Sequence, residues 1–312
     1  MYQIIFKDLN PKPCSLNPKP TFVLIGAAGY IAPRHFEAIQ SVGGELVAVM
    51  DQHDAMGKVV AYFPGAKLFT EEEKFFRFLS EQNSSGKKID YLVVCTPNHL
   101  HHHHIVSGLA AGSAVICEKP LCLSAEELLD IQRQSYQYNL PVYTIMQLRF
   151  HEEVMRLKAD VDAKPDHFFH VKVSYFTPRG AWYDNSWKTD LQKSGGIQMN
   201  LGIHLFDLMA WIFGSPSENK LVQDRPRYAE GYLSNSRAQI HWKLGIDLPG
   251  SEKEVQTSQP IRLIETDDAI YDLSVYHANL HITSYTNILS ENGFKLSEAT
   301  LGLNTLFHNQ TI

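Results

Sequence analysis

Short apolar runs alternate with amphipathic segments between residues 21 and 145, and this alternation restricts the possible folds more than any other feature of the chain. The apolar runs predict strands at residues 22–25, 45–50, 66–69, 91–95, 114–117 and 142–145. Helical spacing predicts helices at 33–42, 71–82, about 99–111 and 124–138, the last with Ser124 as its N-cap. Because strands that are apolar throughout are buried on both faces, the order predicts an α/β fold with a doubly wound parallel sheet of the Rossmann type.

The pattern changes after about residue 147. Residues 168–176, 228–233 and 238–244 alternate apolar and polar side chains, which is typical of antiparallel strands with one solvated face. An apolar helix is predicted at 196–213 and another helix at 276–289. We therefore predict three segments, namely a proline-rich extended leader at 1–20, a dinucleotide-binding Rossmann domain at 21–147 and an α+β domain at 148–312.

Composition excludes several classes of protein. With 44% hydrophobic and 20% charged residues the chain has a globular composition, and its 312 residues suit two domains. A net charge of -6 gives no basic surface for nucleic acid, and no apolar run approaches the roughly 20 residues that cross a bilayer. The four cysteines form no Cys-x-x-Cys pair and the N-terminus has no signal-peptide pattern, which favours a reducing cytoplasm.

A glycine-containing turn follows the first predicted strand. Its residues, Gly26-Ala27-Ala28-Gly29-Tyr30-Ile31-Ala32, lie where glycines let the backbone approach a pyrophosphate at a helix N-terminus. Asp51 ends the second strand and is placed to accept a hydrogen bond from the adenosine ribose, and no Arg or Lys follows it at once, which favours NAD over NADP. Thr96-Pro97-Asn98 ends the fourth strand at the same sheet edge. A Rossmann-like fold without a nucleotide is the alternative.

Candidate catalytic groups stand in two places. Lys119 follows the fifth strand in Cys117-Glu118-Lys119-Pro120, and its ammonium should therefore project into the ligand crevice. Asn200, His204 and Asp207 are four and three residues apart, so they share one face of the predicted apolar helix, where buried polar groups need an explanation. Histidine is suited to accept a hydroxyl proton near neutral pH. A satisfied core histidine is the alternative.

The segment 179–188 concentrates cations and aromatic rings. Arg179, Tyr183, Trp187 and Lys188, with Lys193 close by, could hold an anionic, ring-bearing substrate. A surface loop with hydrophobic anchors is the alternative. The run His101-His102-His103-His104 has no cysteine or carboxylate beside it to complete a ligand set, so no metal site is predicted, and the charges of 71–74 are expected to form a solvated helix face.

These motifs occur in one order and together resemble the Gfo/Idh/MocA oxidoreductase family across nearly the whole chain from Thr21. The resemblance rests most on Glu118-Lys119-Pro120 and on the helix with Asn200, His204 and Asp207. The turn at 25–35, Gln147-Leu148-Arg149 and the 179–188 segment resemble a narrower branch, the WlbA/WbpB-type dehydrogenases. That branch oxidises UDP-N-acetylglucosaminuronic acid at C3, in the synthesis of diacetamido-uronic acid sugars for bacterial surface polysaccharide such as lipopolysaccharide O-antigen.

The resemblance implies a cofactor, partners and an assembly. It implies bound NAD, a UDP-sugar substrate, 2-oxoglutarate in some members as the acceptor that regenerates NAD, and a second domain for substrate binding and oligomerisation. The large, open, mainly antiparallel sheet of that domain would pack in a homotetramer, or in a homodimer. Many members have Asp where this chain has Asn200, and removal of that negative charge suits a uronate.

The site residues follow from the motifs and the resemblance. We expect Lys119 and His204 to be the catalytic pair, without deciding which holds the travelling proton. Substrate contacts are expected from Arg149, Arg179, Tyr183, Trp187, Lys188 and Asn200. Cofactor contacts are expected from Gly26, Ala28, Gly29, Tyr30, Ile31, Asp51, Thr96, Pro97, Asn98, His101, Glu118 and Lys119. The alternatives are a general sugar or inositol dehydrogenase of the same family and a non-catalytic NAD(P)-sensing binding protein.

Overall fold

The computed structural model describes residues 19–247, 259–275 and 279–307. Most of the predicted leader, at 1–18, lies outside the described residues. The same holds for 276–278, the first residues of the predicted helix at 276–289.

Six parallel strands form the first sheet. They are β1 (Thr21–Ile25), β2 (Glu45–Met50), β3 (Lys67–Phe69), β4 (Tyr91–Val94), β5 (Ala114–Cys117) and β6 (Val142–Thr144). Their order is β3-β2-β1-β4-β5-β6. The strand order reverses between β1 and β4, and the carboxyl ends of strands at such a point are where open α/β sheets bind ligands. The predicted doubly wound parallel sheet is confirmed.

Helices connect these strands and cover the sheet. They are α1 (Ala32–Ser41), α2 (Gly57–Tyr62), α3 (Glu72–Ser84), α4 (His101–Ala110) and α5 (Ala125–Tyr138). Four of them lie where helical spacing predicted them, and the Ser124 side chain accepts a hydrogen bond from the Glu127 backbone amide at 3.2 Å, as expected for an N-cap. Helix α2 has six residues with only Val59 buried, too short an apolar pattern to predict.

The second half contains a second six-stranded sheet and further helices. Its strands are β7 (Phe169–Phe176), β8 (Glu218–Arg225), β9 (Tyr228–Ser234), β10 (Ala238–Gly245), β11 (Ile261–Glu265) and β12 (Ile270–Asp272). Its helices are α6 (Glu152–Asp162), α7 (Leu191–Ser194), α8 (Ile203–Phe213), α9 (Leu280–Leu289) and α10 (Leu296–Phe307). Within the described ranges, no helix has the length and apolar character needed to cross a membrane.

The second sheet has the order β12-β11-β7-β10-β9-β8. Its neighbours are antiparallel except β7 and β10, which run parallel. The predicted α+β architecture with a mainly antiparallel sheet is therefore confirmed. Sequence patterning missed β8 because this edge strand has only exposed or half-buried side chains and no apolar alternation.

A helix occupies the predicted range 196–213, but its first part is π-helical rather than α-helical. Gly195 and Gly196 have φ values of 75° and 79°, and a π-helical turn at Gln198–Gly202 precedes α8. The wider turn changes the angular spacing of side chains. Asn200 and His204 border one cavity, whereas Asp207, three residues after His204 in α8, does not line it, so the predicted common face of three polar groups does not form.

Asp207 instead forms a buried ion pair with Arg149. The Arg149 Nε and Nη2 atoms donate to the two carboxylate oxygens at 2.8 and 2.6 Å, and the Arg149 side chain has no exposed surface. Helix α10 packs directly on this pair, because a Cβ on Gly302 would lie 2.9 Å from the Asp207 Cα. Such a bidentate pair is well satisfied only while both partners are present.

Helix α9, which follows the second sheet in the chain, packs on the first sheet rather than on the second. Tyr285 and Ile288 belong to the same buried cluster as Phe22, Phe36 and Ile39 of the nucleotide-binding side. The Thr144 backbone amide also donates to the Phe294 carbonyl at 3.0 Å. The chain therefore returns, after the second sheet, to complete the core of the first.

Removal of one partner of the buried pair should destabilise the fold strongly. We expect Asp207→Asn to lower the free energy of unfolding by about 3–5 kcal/mol, because it removes the charge that pairs with the buried Arg149 and leaves the half-exposed Glu298 carboxylate, 3.8 Å away, as a weaker partner. Denaturant unfolding followed by circular dichroism measures the change. As a control, Lys164→Ala breaks the exposed pair with Asp268 and should leave the free energy of unfolding nearly unchanged. Equal losses in the two variants would contradict this account.

Candidate active site

The turn after β1 has the geometry of a phosphate-binding loop. Gly26 has a φ of 92°, and a Cβ on it would lie 2.7 Å from the Cys95 carbonyl carbon, so only glycine fits. The Gly26 and Ala27 amides donate to the Met50 carbonyl at 2.8 and 3.2 Å. Helix α1 starts a few residues later and points its N-terminus toward this turn. Backbone and helix end are therefore arranged for a dinucleotide.

Asp51 is joined to this turn by a hydrogen bond. Its Oδ2 atom accepts from the Ala28 amide at 2.9 Å, and its Oδ1 atom accepts from the His53 amide at 2.9 Å. The structure thus brings together the turn and the carboxylate that were predicted to share a cofactor. Tyr30, also predicted there, is 95% exposed and contributes only through its position in the turn.

The segment after β4 connects the two halves of the molecule. The Asn98 side-chain amide donates to the Ser194 carbonyl at 2.9 Å, and Asn98 is buried. His101 lies between the carbonyls of Pro120 and Thr96, at 2.6 Å from Nδ1 and 2.7 Å from Nε2. Asn98 and His101 therefore hold the loops at this edge of the sheet, and Pro97 directly precedes Asn98.

Glu118 directly precedes Lys119 and is buried in a network of hydrogen bonds. Its Oε1 atom accepts from His35 of α1 at 3.0 Å and from His281 of α9 at 3.2 Å, and its Oε2 atom accepts from the Lys119 amide at 3.2 Å. His35 also bonds the Tyr285 hydroxyl at 2.8 Å. Burial by itself would raise the pKa of Glu118, but the hydrogen bonds from His281 and His35 outweigh it and hold the pKa well below its usual value.

A cavity of about 160 Å³ opens beside Lys119. It is lined by Lys119, Gln147, Leu148, Tyr175, Arg179, Tyr183, Lys188, Asn200, Leu201, His204, Ile246 and Arg262. The structure thus brings together most of the predicted catalytic and substrate residues, from both halves of the chain. The Lys119 Nζ atom donates to the Asn200 carbonyl at 2.9 Å, which directs the ammonium toward the π-helical turn.

The cavity is strongly cationic. Lys119, Arg179, Lys188 and Arg262 line it, and no carboxylate does among the residues that the structure describes. Burial lowers the pKa of Lys119 to about 8, assisted by Arg179 and Arg262 and opposed by Glu118. Burial, with the charges of Lys119 and Arg179, also lowers the pKa of Lys188 to about 8. Such a group of uncompensated cations is suited to a ligand with several negative charges.

His204 provides a neutral imidazole in this setting. Burial lowers its pKa well below the usual value, and the charge of Lys119 lowers it further. Within the described ranges no residue forms a hydrogen bond with the His204 ring. A neutral ring nitrogen that faces a cavity beside an ammonium group can accept a proton from a bound hydroxyl.

Other predicted substrate residues lie outside this cavity. Arg149 is held in its ion pair with Asp207, although its neighbours Gln147 and Leu148 line the cavity. Trp187 is half-buried and its ring lies 4.1 Å from the Lys188 Nζ atom, so it packs against a lining residue. Lys193 pairs with Asp190 at 3.6 Å.

Arg262 is the lining cation that sequence patterning missed. It lies on β11, which is short and only half-buried, and its guanidinium reaches the Thr177 hydroxyl at 3.2 Å and the Tyr175 ring at 5.2 Å. A strand was not predicted there, so no feature of the sequence directed this residue to the site.

The histidine run has a carboxylate that the sequence did not place beside it. Glu72 of α3 accepts from His103 at 2.6 Å and lies 3.4 Å from the Nε2 atom of His104, while His102 pairs separately with Asp130 at 2.9 Å. The expectation that no carboxylate joins these histidines is therefore wrong. Glu72 is far from His103 and His104 in the sequence, and only the packing of α3 on α4 brings them together.

Comparison with known proteins gives the family. A family model described as the oxidoreductase family with an NAD-binding Rossmann fold matches residues 21–144, and the C-terminal alpha/beta domain model of that family matches residues 167–248. The chain belongs to the Gfo/Idh/MocA oxidoreductase family. The predicted family and the nucleotide-binding fold are thereby confirmed.

Among solved structures, the WlbA (WbpB) dehydrogenase from Thermus thermophilus is 37% identical, with a TM-score of 0.89 over 94% of this chain and 95% of that one. It was determined with NAD and alpha-ketoglutarate, and with NAD and UDP-GlcNAcA. The WlbA dehydrogenase from Bordetella pertussis, at 20% identity and a TM-score of 0.75, shares the fold.

Curated relatives match over a shorter stretch. Inositol 2-dehydrogenase from Rhizobium meliloti is 27% identical over 195 residues, which is 62% of this chain and 54% of the relative. A putative UDP-kanosamine synthase oxidoreductase subunit from Amycolatopsis mediterranei is 27% identical over 44% of this chain and 38% of the relative. The match therefore spans about half, or less, of the length of these curated relatives.

Loss of the Asp51 carboxylate should weaken NAD binding. We expect Asp51→Ala to raise the Kd for NAD+ by about tenfold or more, because the variant loses a charged hydrogen-bond acceptor that also fixes the Ala28 amide. Isothermal titration calorimetry measures the Kd. Asp54→Ala removes an exposed carboxylate from the same loop and should leave it unchanged. An Asp51 variant that binds NAD+ like the wild type would exclude this role.

Proposed function

We propose that this protein oxidises the C3 hydroxyl of UDP-N-acetylglucosaminuronic acid to the 3-keto sugar with NAD+ as cofactor. The observation that carries the proposal is the cationic cavity, in which Lys119 and the neutral His204 stand together among Arg179, Lys188 and Arg262. The cations match the negative charges of a uronate and a diphosphate. The similarity to the Thermus thermophilus dehydrogenase determined with NAD and UDP-GlcNAcA supports the same substrate.

The residues at the first sheet fit a dinucleotide. A cradle that a Cβ at Gly26 would fill, together with the N-terminus of α1 and the Asp51 carboxylate, would hold the pyrophosphate and the ribose. NAD+, when bound, supplies the hydride acceptor. The Glu118 network fixes the backbone of Lys119 at the carboxyl end of β5, on the side where the reacting hydroxyl must approach.

The protonation states support a division of the two catalytic roles. His204 is neutral near pH 7 and accepts the C3 hydroxyl proton as the hydride leaves C3. Lys119, with a pKa of about 8, is mostly an ammonium at that pH and donates a hydrogen bond to the C3 oxygen. Charge beside that oxygen stabilises the transition state more than the ground state, since negative charge develops there.

The positive charges also suit a second ligand. We propose 2-oxoglutarate as the acceptor that regenerates NAD+, because a dicarboxylate would occupy the same cations after the keto sugar leaves. The Thermus thermophilus relative was determined with NAD and alpha-ketoglutarate together. In this scheme the enzyme acts in the cytoplasm, in the synthesis of diacetamido-uronic acid sugars for bacterial surface polysaccharide, and the nucleotide-binding and substrate-binding units divide near residue 147.

We further propose a homotetramer formed through the second sheet, with a homodimer as the smaller alternative. One face of that sheet presents exposed side chains from neighbouring strands, including His170, Lys172 and Gln239, and a partner could cover them. Light scattering at several protein concentrations would give the number of subunits.

A general sugar or inositol dehydrogenase is the second candidate, favoured by the inositol 2-dehydrogenase relative. Free sugars are uncharged, so they would not neutralise the four cations that line the cavity. Turnover of myo-inositol or glucose, without turnover of the UDP-uronate, would decide for that candidate. Binding of NAD without turnover of any sugar would decide for the non-catalytic NAD(P)-sensing protein.

The proposed reaction should depend on His204. With UDP-N-acetylglucosaminuronic acid and 2-oxoglutarate, the wild type should form the 3-keto sugar, and His204→Asn should lower turnover by about 10² or more through loss of the general base. Mass spectrometry of the product and of 2-hydroxyglutarate measures both half-reactions. Lys193→Ala, which alters an exposed lysine outside the cavity, is the matched control and should retain activity. Unchanged turnover in His204→Asn would exclude the histidine from the mechanism.

Anion binding in the cavity should be linked to proton uptake. At pH 8.5 Lys119 and Lys188, each with a pKa of about 8, are largely neutral, and a bound dicarboxylate restores their charge. Titration of the NAD+-bound protein with 2-oxoglutarate, in buffers of different ionisation enthalpy, should reveal uptake of about one proton or more. At pH 6.5 both lysines are already charged, so uptake should vanish.

Lys188→Met should roughly halve the uptake at pH 8.5, because one of the two titrating groups is removed. Buffer-independent binding heats at pH 8.5 in the wild type would contradict the lowered pKa values of these lysines.

A further inference from the structure

His103 and His104 of the histidine run take no part in the proposed oxidation, yet their two rings converge on one carboxylate. The Nε2 atom of His103 lies 2.6 Å from Glu72 Oε1, and the Nε2 atom of His104 lies 3.4 Å from Glu72 Oε2. The three ligand atoms lie within 4.8 Å of one another. We propose that Glu72, His103 and His104 bind a divalent transition-metal cation of the zinc class.

The surroundings of His104 are those of an oriented metal ligand. Its Nδ1 atom is hydrogen-bonded to the Thr96 hydroxyl at 2.9 Å, and its ring stacks on Phe76 with centroids 6.3 Å apart. The side chain is almost fully buried. In metal sites the second ring nitrogen of a histidine usually bonds an oxygen, which fixes the ring and the ligating atom. His104 is therefore held with its Nε2 atom toward Glu72.

The donor set and its exposure suit a zinc-class cation. Two imidazoles and a carboxylate are ligands that Zn²⁺ accepts, and a water molecule supplies the fourth position. His103 is 59% exposed and Glu72 is 33% exposed, so a cation can enter from solvent and both side chains can adjust. A tetrahedral cation about 2.0–2.1 Å from each donor needs ligand atoms roughly 3.3 Å apart. The donor atoms already lie within 4.8 Å of one another, and the exposed His103 and Glu72 side chains can make the remaining adjustment.

A second cluster of the same residue types behaves differently. In the group of His35, Glu118 and His281 both imidazoles share a single carboxylate oxygen, and all three residues are buried. One carboxylate oxygen can accept from two N–H donors, and burial of all three residues leaves no path for a cation. We therefore assign that cluster to hydrogen bonding between α1, β5 and α9, and the metal to the partly exposed cluster on α3 and α4.

Metal binding at Glu72, His103 and His104 can be tested on the full chain without reference to catalysis. After dialysis against a chelator, titration calorimetry with ZnCl₂ should show one site, and Co²⁺ should give the visible absorption bands of a tetrahedral complex. Glu72→Gln and His103→Ala should each weaken Zn²⁺ binding at least about tenfold. Both positions are accessible to solvent, so circular dichroism and Tm in chelator should match those of the wild type.

The chain contains 15 histidines, and histidines elsewhere can also bind Zn²⁺, so the site is identified by comparison of the variants. His102→Ala is the matched control, because His102 belongs to the same helix but pairs with Asp130 instead. It should bind Zn²⁺ like the wild type. Absence of a Zn²⁺ site in the wild type, or equal affinity in Glu72→Gln and in the wild type, would overturn the proposal.

Discussion

The buried Glu118 carboxylate is the interaction on which the site depends. It is ionised without solvent, and that is possible because His35 and His281 donate to one of its oxygens. The two imidazoles come from the first and the ninth helix, so the same contact joins distant parts of the chain. Since Glu118 also bonds the amide of Lys119, this network fixes the backbone position from which the Lys119 side chain projects.

Burial then sets the chemistry of the cavity. The same loss of solvent that makes the His204 imidazole neutral lowers the pKa of Lys119 and Lys188 to about 8. Four cationic side chains line this small cavity, and repulsion between like charges makes their charged forms less favourable. The empty arrangement is electrostatically unfavourable, and a polyanion relieves it. Relief of this repulsion would contribute to the affinity for an anionic ligand. The Arg149–Asp207 ion pair is equally buried, but its two charges neutralise each other, and it serves stability.

Local sequence patterns predicted the first sheet almost completely, because strands buried on both faces and helices between them carry strong periodicity. The glycine turn and Lys119 followed from their places at strand ends, and His204 from its place among polar residues on the apolar helix. Prediction failed where long-range packing decides: Asp207 pairs with the buried Arg149 instead of lining the cavity, and Arg149 is held in the same ion pair. Arg262 and Glu72 were missed since only tertiary folding brings them to their partners.

The packing of α9 has a consequence for the order in which the protein is made. During synthesis the first sheet, β1 to β6, leaves the ribosome long before residues 280–289, which supply His281 and Tyr285 to its buried cluster. Until that helix arrives, the Glu118 side chain lacks one of its donors and the surface over Phe22 and Ile39 stays open to water. The nucleotide-binding half therefore cannot mature vectorially, and its final structure is delayed until residues 280–289 have also been translated.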